Sequence, residues 1–247
     1  MNKKFLALAA LALITTGAQA KVKLPHILGD NMIIQQDSEA NLWGWDKPGT
    51  TVKVSTSWSS RIYSTQTGKD GKWAVKVLTP KASYTPLSIT FDDGEKTTIN
   101  NVLAGEVWVC AGQSNMEMPV KGFGQCPVVD YNKEILNAAD GIRSAKIPSR
   151  MSTRPLNDAE TSWRISSPET IAEFSATGYF FARTIREALN IPVGLIEANK
   201  GGSRVESWLD EDNLKKYAEE DLDSATMKAR FQWDLHYPLL WHKAHFN

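Results

Sequence analysis

A short apolar run that ends in a glycine and a serine is the feature that most constrains how this chain can fold. Residues 107–111 are apolar, Gly112 follows, and Ser114 stands between Gln113 and Asn115. An apolar run of this length next to turn residues predicts a buried strand, and glycine permits a sharp exit from it. The pattern predicts that a serine hydroxyl lies exposed at the rim of a sheet. Taken alone, the tetrapeptide 112–115 is equally typical of an ordinary turn.

The pattern of strands and helices changes near residue 102. Between residues 21 and 102, short and partly alternating runs are separated by Gly-containing turns, which is typical of a small antiparallel β-sandwich. From residue 103 onward, strands alternate with helices, which predicts a mostly parallel, doubly wound α/β sheet with its chemistry beyond the carboxyl ends of the strands. The predicted strands are 40–45, 51–54, 72–77, 87–91, 106–111, 141–147 and 193–198, and the predicted helices are 174–189 and 204–217.

Helix 174–189 has an apolar pattern of its own. Apolar positions at helical spacing indicate which face of a helix packs against a core. The positions that predict this face are Thr177, Phe181, Ile185, Ala188 and Leu189.

The first 20 residues have the pattern of a secretory signal peptide. Lys3 and Lys4 precede an apolar run at 5–14, and Ala18-Gln19-Ala20 provides a small-residue cleavage site. The apolar run is too short to span a membrane. We therefore expect export, with the product periplasmic or extracellular. The chain after residue 20 carries 26 basic and 28 acidic side chains, a balance that does not suggest a nucleic-acid partner.

The chain contains two cysteines, Cys110 and Cys126. An exported protein meets oxidising conditions, so a disulfide between them is possible. The position of Cys110 inside an apolar strand favours a buried free thiol instead. No cysteine or histidine spacing is typical of a metal site, and we predict no metal and no other cofactor.

Several separate blocks of the chain occur in the order seen in one known family. Residues 105–117 match its nucleophile block, and Gly194 to Ile196, with the segment 201–203 and Trp208, match its second block. Further landmarks lie at 24–25, 29–32, 43–45, 48–49 and 70–73. The chain resembles the sialate O-acetylesterases and related carbohydrate acetylesterases, which are SGNH (GDSL-like) hydrolases. The resemblance implies an SGNH-type, flavodoxin-like sheet in residues 103–247, preceded by a β-sandwich domain in residues 21–102.

The resemblance also implies a chemistry. Ser114 would attack the acetyl ester of a sialic acid or related glycan and form an acetyl-serine that water clears. The backbone N–H groups of Ser114 and of Gly201 or Gly202 would bind the oxyanion. Gln113 and Asn115 flank the nucleophile and are candidate substrate-binding residues. Without the resemblance, Gly201 and Gly202 would suggest only a tight turn after a strand.

The chain departs from the family downstream. We find no Trp-Tyr-Gln-Gly-Glu-like segment and no Asp-x-x-His segment, so the base and its orienting acid are missing. We expect the N-terminal part of a catalytic domain, unstable or inactive as this chain alone. If this segment were a strand, Asp234 and His236 would share one face and could form a substitute pair, although His236 is equally compatible with a frayed end. His242 and His245 suggest only a frayed end, and His26 has no evident partner.

Two other functions remain open at this point. A non-catalytic glycan-binding protein would explain the missing base, and nine tryptophans provide surfaces for stacking on sugars. An acetyl-xylan type esterase would use the same scaffold on another sugar. In every case the expected partner is a carbohydrate, and the sequence does not predict an oligomeric state.

Overall fold

A computed structural model describes residues 21–138, 140–150 and 156–204, together with Trp208, Leu209, Asn213 and Lys216. The expected signal peptide lies outside the described residues, as do Asp234, His236, His242 and His245. Most of the predicted helix 204–217 also lies outside them. None of the described helices is long and apolar enough to cross a membrane.

The longest strand, β7 (Lys96–Gly112), connects two regions of one sheet. Its first half pairs antiparallel with β6 (Ser83–Asp92), and β1 (Ile33–Gln35) pairs in parallel with residues 103–105. From residue 106 onward β7 pairs in parallel with β10 (Val193–Asn199). The predicted strand 106–111 is therefore only the last part of a much longer strand. The expected boundary at 102/103 falls inside β7, and the division into domains stays a prediction.

The antiparallel region continues this sheet on one side of β7. Strand β6 pairs with β3 (Thr51–Thr56), and β3 pairs with β4 (Ser59–Gln66). Strands β2 (Glu39–Trp45) and β5 (Lys72–Leu78) form a separate two-stranded sheet. This small sheet packs on the larger one, where the rings of Trp73 and Phe91 lie 5.6 Å apart. The predicted strands 40–45, 51–54, 72–77 and 87–91 are all confirmed as parts of these elements.

The parallel region lies on the other side of β7. Strand β10 pairs in parallel with both β7 and β8 (Ile142–Lys146), and β9 (Trp163–Ile165) pairs antiparallel with β8. The order across the large sheet is β4-β3-β6-β7-β10-β8-β9, with β1 beside β7. Within the described residues, the expected parallel pairing is found among β7, β10 and β8, and also between β1 and β7. The described sheet is mixed, because β7 is long enough to serve both regions.

Within residues 21–138, 140–150 and 156–204, three short helical segments and one longer helix accompany the sheet. The short segments are α1 (Ser114–Glu117), α2 (Tyr131–Leu136) and a 3₁₀ turn at Ile171–Glu173. The longer helix, α3 (Ala176–Leu189), is capped by the hydroxyl of Ser175, which accepts a hydrogen bond from the Gly178 N–H at 3.1 Å. This confirms the predicted helix 174–189 with a start two residues later.

The predicted buried face of α3 is wrong. Phe181 and Leu189 are exposed, as are Thr177 and Ala188, and Ile185 is half-buried, whereas the buried residues are Ala176, Gly178, Tyr179 and Ala182. The reason is close packing on the sheet, because a Cβ atom on Gly178 would lie 3.0 Å from the Cys110 Sγ. Small residues make most of the contact between α3 and the sheet. A prediction that looks for large apolar residues therefore selects the opposite face of the helix.

Buried polar groups fasten the parallel region to the antiparallel one. The Arg143 guanidinium is buried and donates to the carbonyl oxygens of Asn31 at 2.9 Å and Asn101 at 2.5 Å. Burial lowers the pKa of Arg143, and the Asp140 carboxylate partly offsets this shift. The indole N–H of Trp163 donates to the Ile27 carbonyl at 2.8 Å. These bonds satisfy groups that would be costly to bury unpaired.

Both cysteines are free, with Cys110 buried and Cys126 exposed. The buried free thiol expected for Cys110 is therefore confirmed, and the two do not form a disulfide. Burial raises the pKa of Cys110 to about 12, and the negative charge of Glu197 contributes to the shift. The reactive thiolate of Cys110 therefore forms only at strongly alkaline pH.

We predict that a thiol reagent at pH 8 modifies one cysteine of the native protein and two of the unfolded protein. The exposed Cys126 reacts in both states, whereas Cys110 reacts only when unfolding removes its burial and restores an ordinary pKa. A colorimetric thiol count with and without denaturant measures this. The Cys126→Ser variant should give no reaction in the native state, and a full native reaction of that variant would contradict the burial of Cys110.

We predict that Gly105→Ala destabilises the protein. A Cβ atom at residue 105 would lie 2.1 Å from the Pro192 carbonyl oxygen, and neither backbone can yield easily. We expect a loss of about 1–3 kcal/mol in the free energy of unfolding, as for other overpacked sites. Gly124→Ala is the matched control, because a Cβ atom there meets nothing within 4 Å. Urea unfolding followed by tryptophan fluorescence measures both, and equal midpoints for the two variants would contradict the prediction.

Candidate active site

The two glycine-containing motifs meet at the carboxyl ends of neighbouring strands. Gly112 at the end of β7 lies opposite Asn199 at the end of β10, and the Lys200 N–H donates to the Gly112 carbonyl at 3.0 Å. Ser114 begins α1 directly after this point and is exposed. The predicted strand, sharp exit and exposed serine are all found as expected.

Gly201 lies against the Ser114 hydroxyl. A Cβ atom on Gly201 would be 3.3 Å from the Ser114 Oγ, 3.6 Å from its Cα and 2.7 Å from the Glu117 Oε2. Only glycine lets the backbone approach the serine this closely without displacing its neighbours. The structure therefore brings together Ser114 and Gly201, which are 87 positions apart in the chain.

The Gly201 N–H already has a partner. It donates to the Glu117 Oε2 at 2.7 Å, so a carboxylate occupies one of the predicted oxyanion donors. Gly202 is exposed and has a φ of 74°, a conformation that favours glycine. Within the described part of the chain, the N–H groups of Ser114 and Gly202 have no acceptor. Of the three predicted donors, these two remain open to a ligand.

The side chains that flank Ser114 have different roles. The Gln113 Nε2 donates to the Ser203 carbonyl at 2.6 Å and thereby connects the serine turn to the loop that contains Gly201. The Asn115 carbonyl accepts from the Thr177 Oγ1 at 2.9 Å, and Asn115 is exposed. Both residues are exposed, but the Gln113 amide is engaged within the protein.

The serine turn is held from beneath by two side chains. The Met116 carbonyl accepts from the Ser175 Oγ at 2.6 Å and from the Asn199 Nδ2 at 3.1 Å. Ser175 and Asn199 are both buried. A short helix has little stability of its own, so these bonds determine where α1 lies relative to β10.

A buried carboxylate, that of Glu197, also supports the serine turn. The sequence analysis does not predict Glu197 as a site residue. Its Oε1 accepts from the Ser144 Oγ at 2.5 Å and from the Ser175 N–H at 3.1 Å. The side chain is fully buried between β8 and the start of α3. The available signal was a single charge inside the apolar run 193–198, because glutamate is rarely buried without partners. Glu117 was also missed as a site residue, although it lies within the nucleophile block.

No histidine contacts Ser114 in the part of the chain that the structure describes. His26 is the one described histidine, and its Nδ1 lies 2.7 Å from the Asp158 Oδ2. The expectation that His26 lacks a partner is therefore wrong. The partner is 132 positions away, which local patterns do not reveal. The described residues also contain no cluster of three or more potential metal ligands.

Comparison with known proteins places this geometry in a family. Residues 104–243 match the family model described as "Carbohydrate esterase, sialic acid-specific acetylesterase". The chain is 26% identical to the sialate O-acetylesterase of Rattus norvegicus over 84% of its own length and 41% of that protein. It is 27% identical to the one of Homo sapiens over 76% of its own length and 39% of that protein.

A solved structure agrees with these relatives. The chain superimposes on a carbohydrate acetylesterase from Xanthomonas citri with a TM-score of 0.71 and 29% identity, which covers 78% of this chain and 43% of that one. The chain thus spans about two fifths of the length of each of these proteins. The residues that match the family model include the last part of β7, the serine turn and the Gly201 loop. The chain belongs to the sialic acid-specific acetylesterase family of carbohydrate esterases.

Proposed function

We propose that this protein removes O-acetyl groups from glycans, with Ser114 as the nucleophile. The observation that supports this most strongly is the contact between the Ser114 hydroxyl and the Gly201 backbone at the carboxyl ends of β7 and β10. An exposed hydroxyl in this place can meet a substrate, and the loop beside it presents backbone N–H groups to the same space. This arrangement suits acyl transfer to serine.

The proposed reaction has two steps. The Ser114 Oγ bonds to the acetyl carbonyl carbon, its proton passes to a base and then to the leaving sugar oxygen, and an acetyl-serine remains. Water then attacks the acetyl-serine and releases acetate, and the proton returns to the serine. The N–H groups of Ser114 and Gly202 are the proposed oxyanion donors. Losing one such donor costs roughly 2.7–4 kcal/mol of transition-state stabilisation in a comparable enzyme.

The finer fold and substrate assignments are also proposals. The parallel strands β7, β10 and β8, with serine at a carboxyl end, support an SGNH-type sheet. The packing of the β2-β5 sheet on the larger sheet supports a small β-sandwich in the antiparallel region. Sialic acids and related acetylated glycans are the proposed substrates, since the relatives are sialate O-acetylesterases. The pattern of residues 1–20 supports export to the periplasm or the exterior.

We also propose that this chain alone is catalytically impaired. A serine hydroxyl needs a base, usually a histidine, to take its proton, and the described residues place no histidine beside Ser114. The serine, its supporting bonds and two open N–H groups are nevertheless in place. Such a site should respond to a base supplied from solution.

We predict that imidazole restores acetylation of Ser114 by an activated acetyl ester. The added imidazole can take the serine proton, so the peptide that contains Ser114 should gain one acetyl group in mass spectrometry. Ser114→Ala should abolish this gain, whereas Ser60→Ala, at an exposed serine of β4, should leave it unchanged. Equal labelling in all three proteins would contradict the nucleophile assignment. Strong turnover without imidazole that is lost in Ser114→Ala would instead contradict the proposed impairment.

A non-catalytic glycan-binding protein is the second candidate. The observation that favours it is that no histidine contacts Ser114 within the described residues. Binding of an acetylated glycan that survives Ser114→Ala, without any acetyl transfer in the presence of imidazole, would support this function over the first. An acetyl-xylan esterase would show acetyl transfer with neutral sugars as efficiently as with acidic ones.

We predict that Glu117 keeps the Gly201 loop in position. Its carboxylate accepts the Gly201 N–H at 2.7 Å, and hydrogen bonds to charged groups contribute about 1.5–3 kcal/mol. Glu117→Ala should slow imidazole-assisted acetylation of Ser114 by about tenfold or more. Glu117→Gln should retain most of the rate, since its amide oxygen can still accept the bond. A time course of acetylation measures both variants. Equal acetylation rates for Glu117→Ala and Glu117→Gln would show that the bond to the Gly201 N–H does not contribute to the reaction.

A further inference from the structure

A polar cavity lies beside the carboxyl end of β8. Its volume is about 340 Å³, and the lining residues are His26, Lys146, Glu160, Thr161, Ser162 and Arg164. Ligand pockets of proteins usually have volumes of roughly 300–1,000 Å³. The cavity, which is widely open to solvent, is therefore large enough for a small ligand, and its six lining residues all have polar or charged side chains.

The charges of this cavity are unbalanced. The Asp158 carboxylate beside it is paired with His26 at 2.7 Å, and Glu160 is paired with the Arg150 guanidinium at 2.8 Å. Lys146 and Arg164 are half-buried, and within the described residues neither has a carboxylate within 4 Å. Both local carboxylates thus have partners of their own, and Lys146 and Arg164 remain for an anion from outside.

The cations are of a kind that binds carboxylates well. The Arg164 guanidinium lies over the Phe174 ring, 5.3 Å from its centroid, which restricts its orientation. A guanidinium in a fixed plane can donate two parallel hydrogen bonds to one carboxylate, and a lysine adds a mobile point charge. The Ser162 hydroxyl and the imidazole of His26 add groups that can hydrogen-bond to the hydroxyls of a sugar.

The cavity lies at the same edge of the sheet as Ser114. Lys146 is opposite Glu197, and Glu197 is opposite Cys110, so β8, β10 and β7 end together. Strand β9 runs the other way, which brings Ser162, just before its start, to this edge as well. Two strand spacings, or about 10 Å, separate β8 with Lys146 from β7, and three, or about 14 Å, separate β9 with Arg164 from β7. One elongated ligand could therefore reach both places.

We infer that this cavity is a subsite for the carboxylate of an acidic glycan whose acetyl ester lies at Ser114. The position of the ester rests on the proposed function, whereas binding of the carboxylate does not. The separation requires a ligand whose carboxylate and ester are far apart, either on one long sugar acid or on different units of an oligosaccharide. Neutral acetylated xylan has no group that uses Lys146 and Arg164.

The test compares ligands that differ in one charge. The probes are the methyl glycoside of a sialic acid, the same glycoside as its carboxylate methyl ester, a glucuronide and a sugar phosphate. Binding to the full chain that carries Ser114→Ala is measured by calorimetry, so no chemistry is needed. We expect the acid to bind at least about tenfold more tightly than its methyl ester, and higher salt to weaken this binding.

Variants assign the effect to the cavity. Arg164→Gln and Lys146→Gln should each remove most of the preference for the acid, and Arg164→Lys should give an intermediate value because the charge stays but the planar fork is lost. Lys133→Gln, at an exposed lysine of α2, is the matched control and should change nothing. Urea unfolding midpoints show whether each variant is folded. If Arg164→Gln does not fold, Arg164→Lys still tests the role of Arg164.

Equal binding of acid and ester, or an unchanged preference in the folded Lys146 and Arg164 variants, would overturn the inference. Tighter binding of the sugar phosphate would overturn the assignment to a carboxylate. The relative affinities of the sialoside and the glucuronide identify which acidic sugar fits. Acid binding without imidazole-assisted acetylation of Ser114 would leave the subsite standing and reject the proposed esterase function, and the reverse result would reject only the subsite.

Discussion

The pairing of β7 along its whole length is the constraint on which the rest of the structure depends. One end of this strand belongs to antiparallel pairs with β6, and the other end to a parallel pair with β10. Because a strand is stiff and its side chains alternate, fixing one half determines the direction and register of the other. The packing of the antiparallel region thus sets the direction in which the chain leaves β7 at Gly112. The position of Ser114 therefore depends on strands that are distant in the sequence.

Around Gly112, buried polar groups fix the orientation of the chain, which apolar packing alone would not do. Ser175 and Asn199 hold the Met116 carbonyl, and Glu197 holds Ser175 through its N–H. Each bond has a direction, so the set fixes the orientation of α1 as well as its distance from β10. Their burial makes any loosening costly, because a freed polar group would have no water to bind. This explains how the four residues of α1 can hold an exposed serine in a fixed position without helical stability of their own.

The edge of the sheet where β7, β10 and β8 end carries two chemically different places. One has an exposed serine beside open backbone N–H groups, which suits the neutral carbonyl of an ester. The other has two cations without carboxylates, which suits an anion. Membership of the esterase family agrees with the place at Ser114. The comparisons with known proteins identify no residues for the place at Lys146 and Arg164. The same relatives are more than twice as long as the part of them that matches this chain.

The sequence by itself determined the local elements: the strand that ends at Gly112, the exposed Ser114, the strand at 193–198, the helix at 174–189 and the glycine pair after β10. These follow from apolar periodicity and turn chemistry within a few residues. Only the tertiary structure decided which face of α3 is buried, that His26 pairs with Asp158, that Glu117 occupies the Gly201 N–H, and that the two regions share one strand. Each of these depends on contacts between distant segments, where the fit of side chains in space outweighs any local preference.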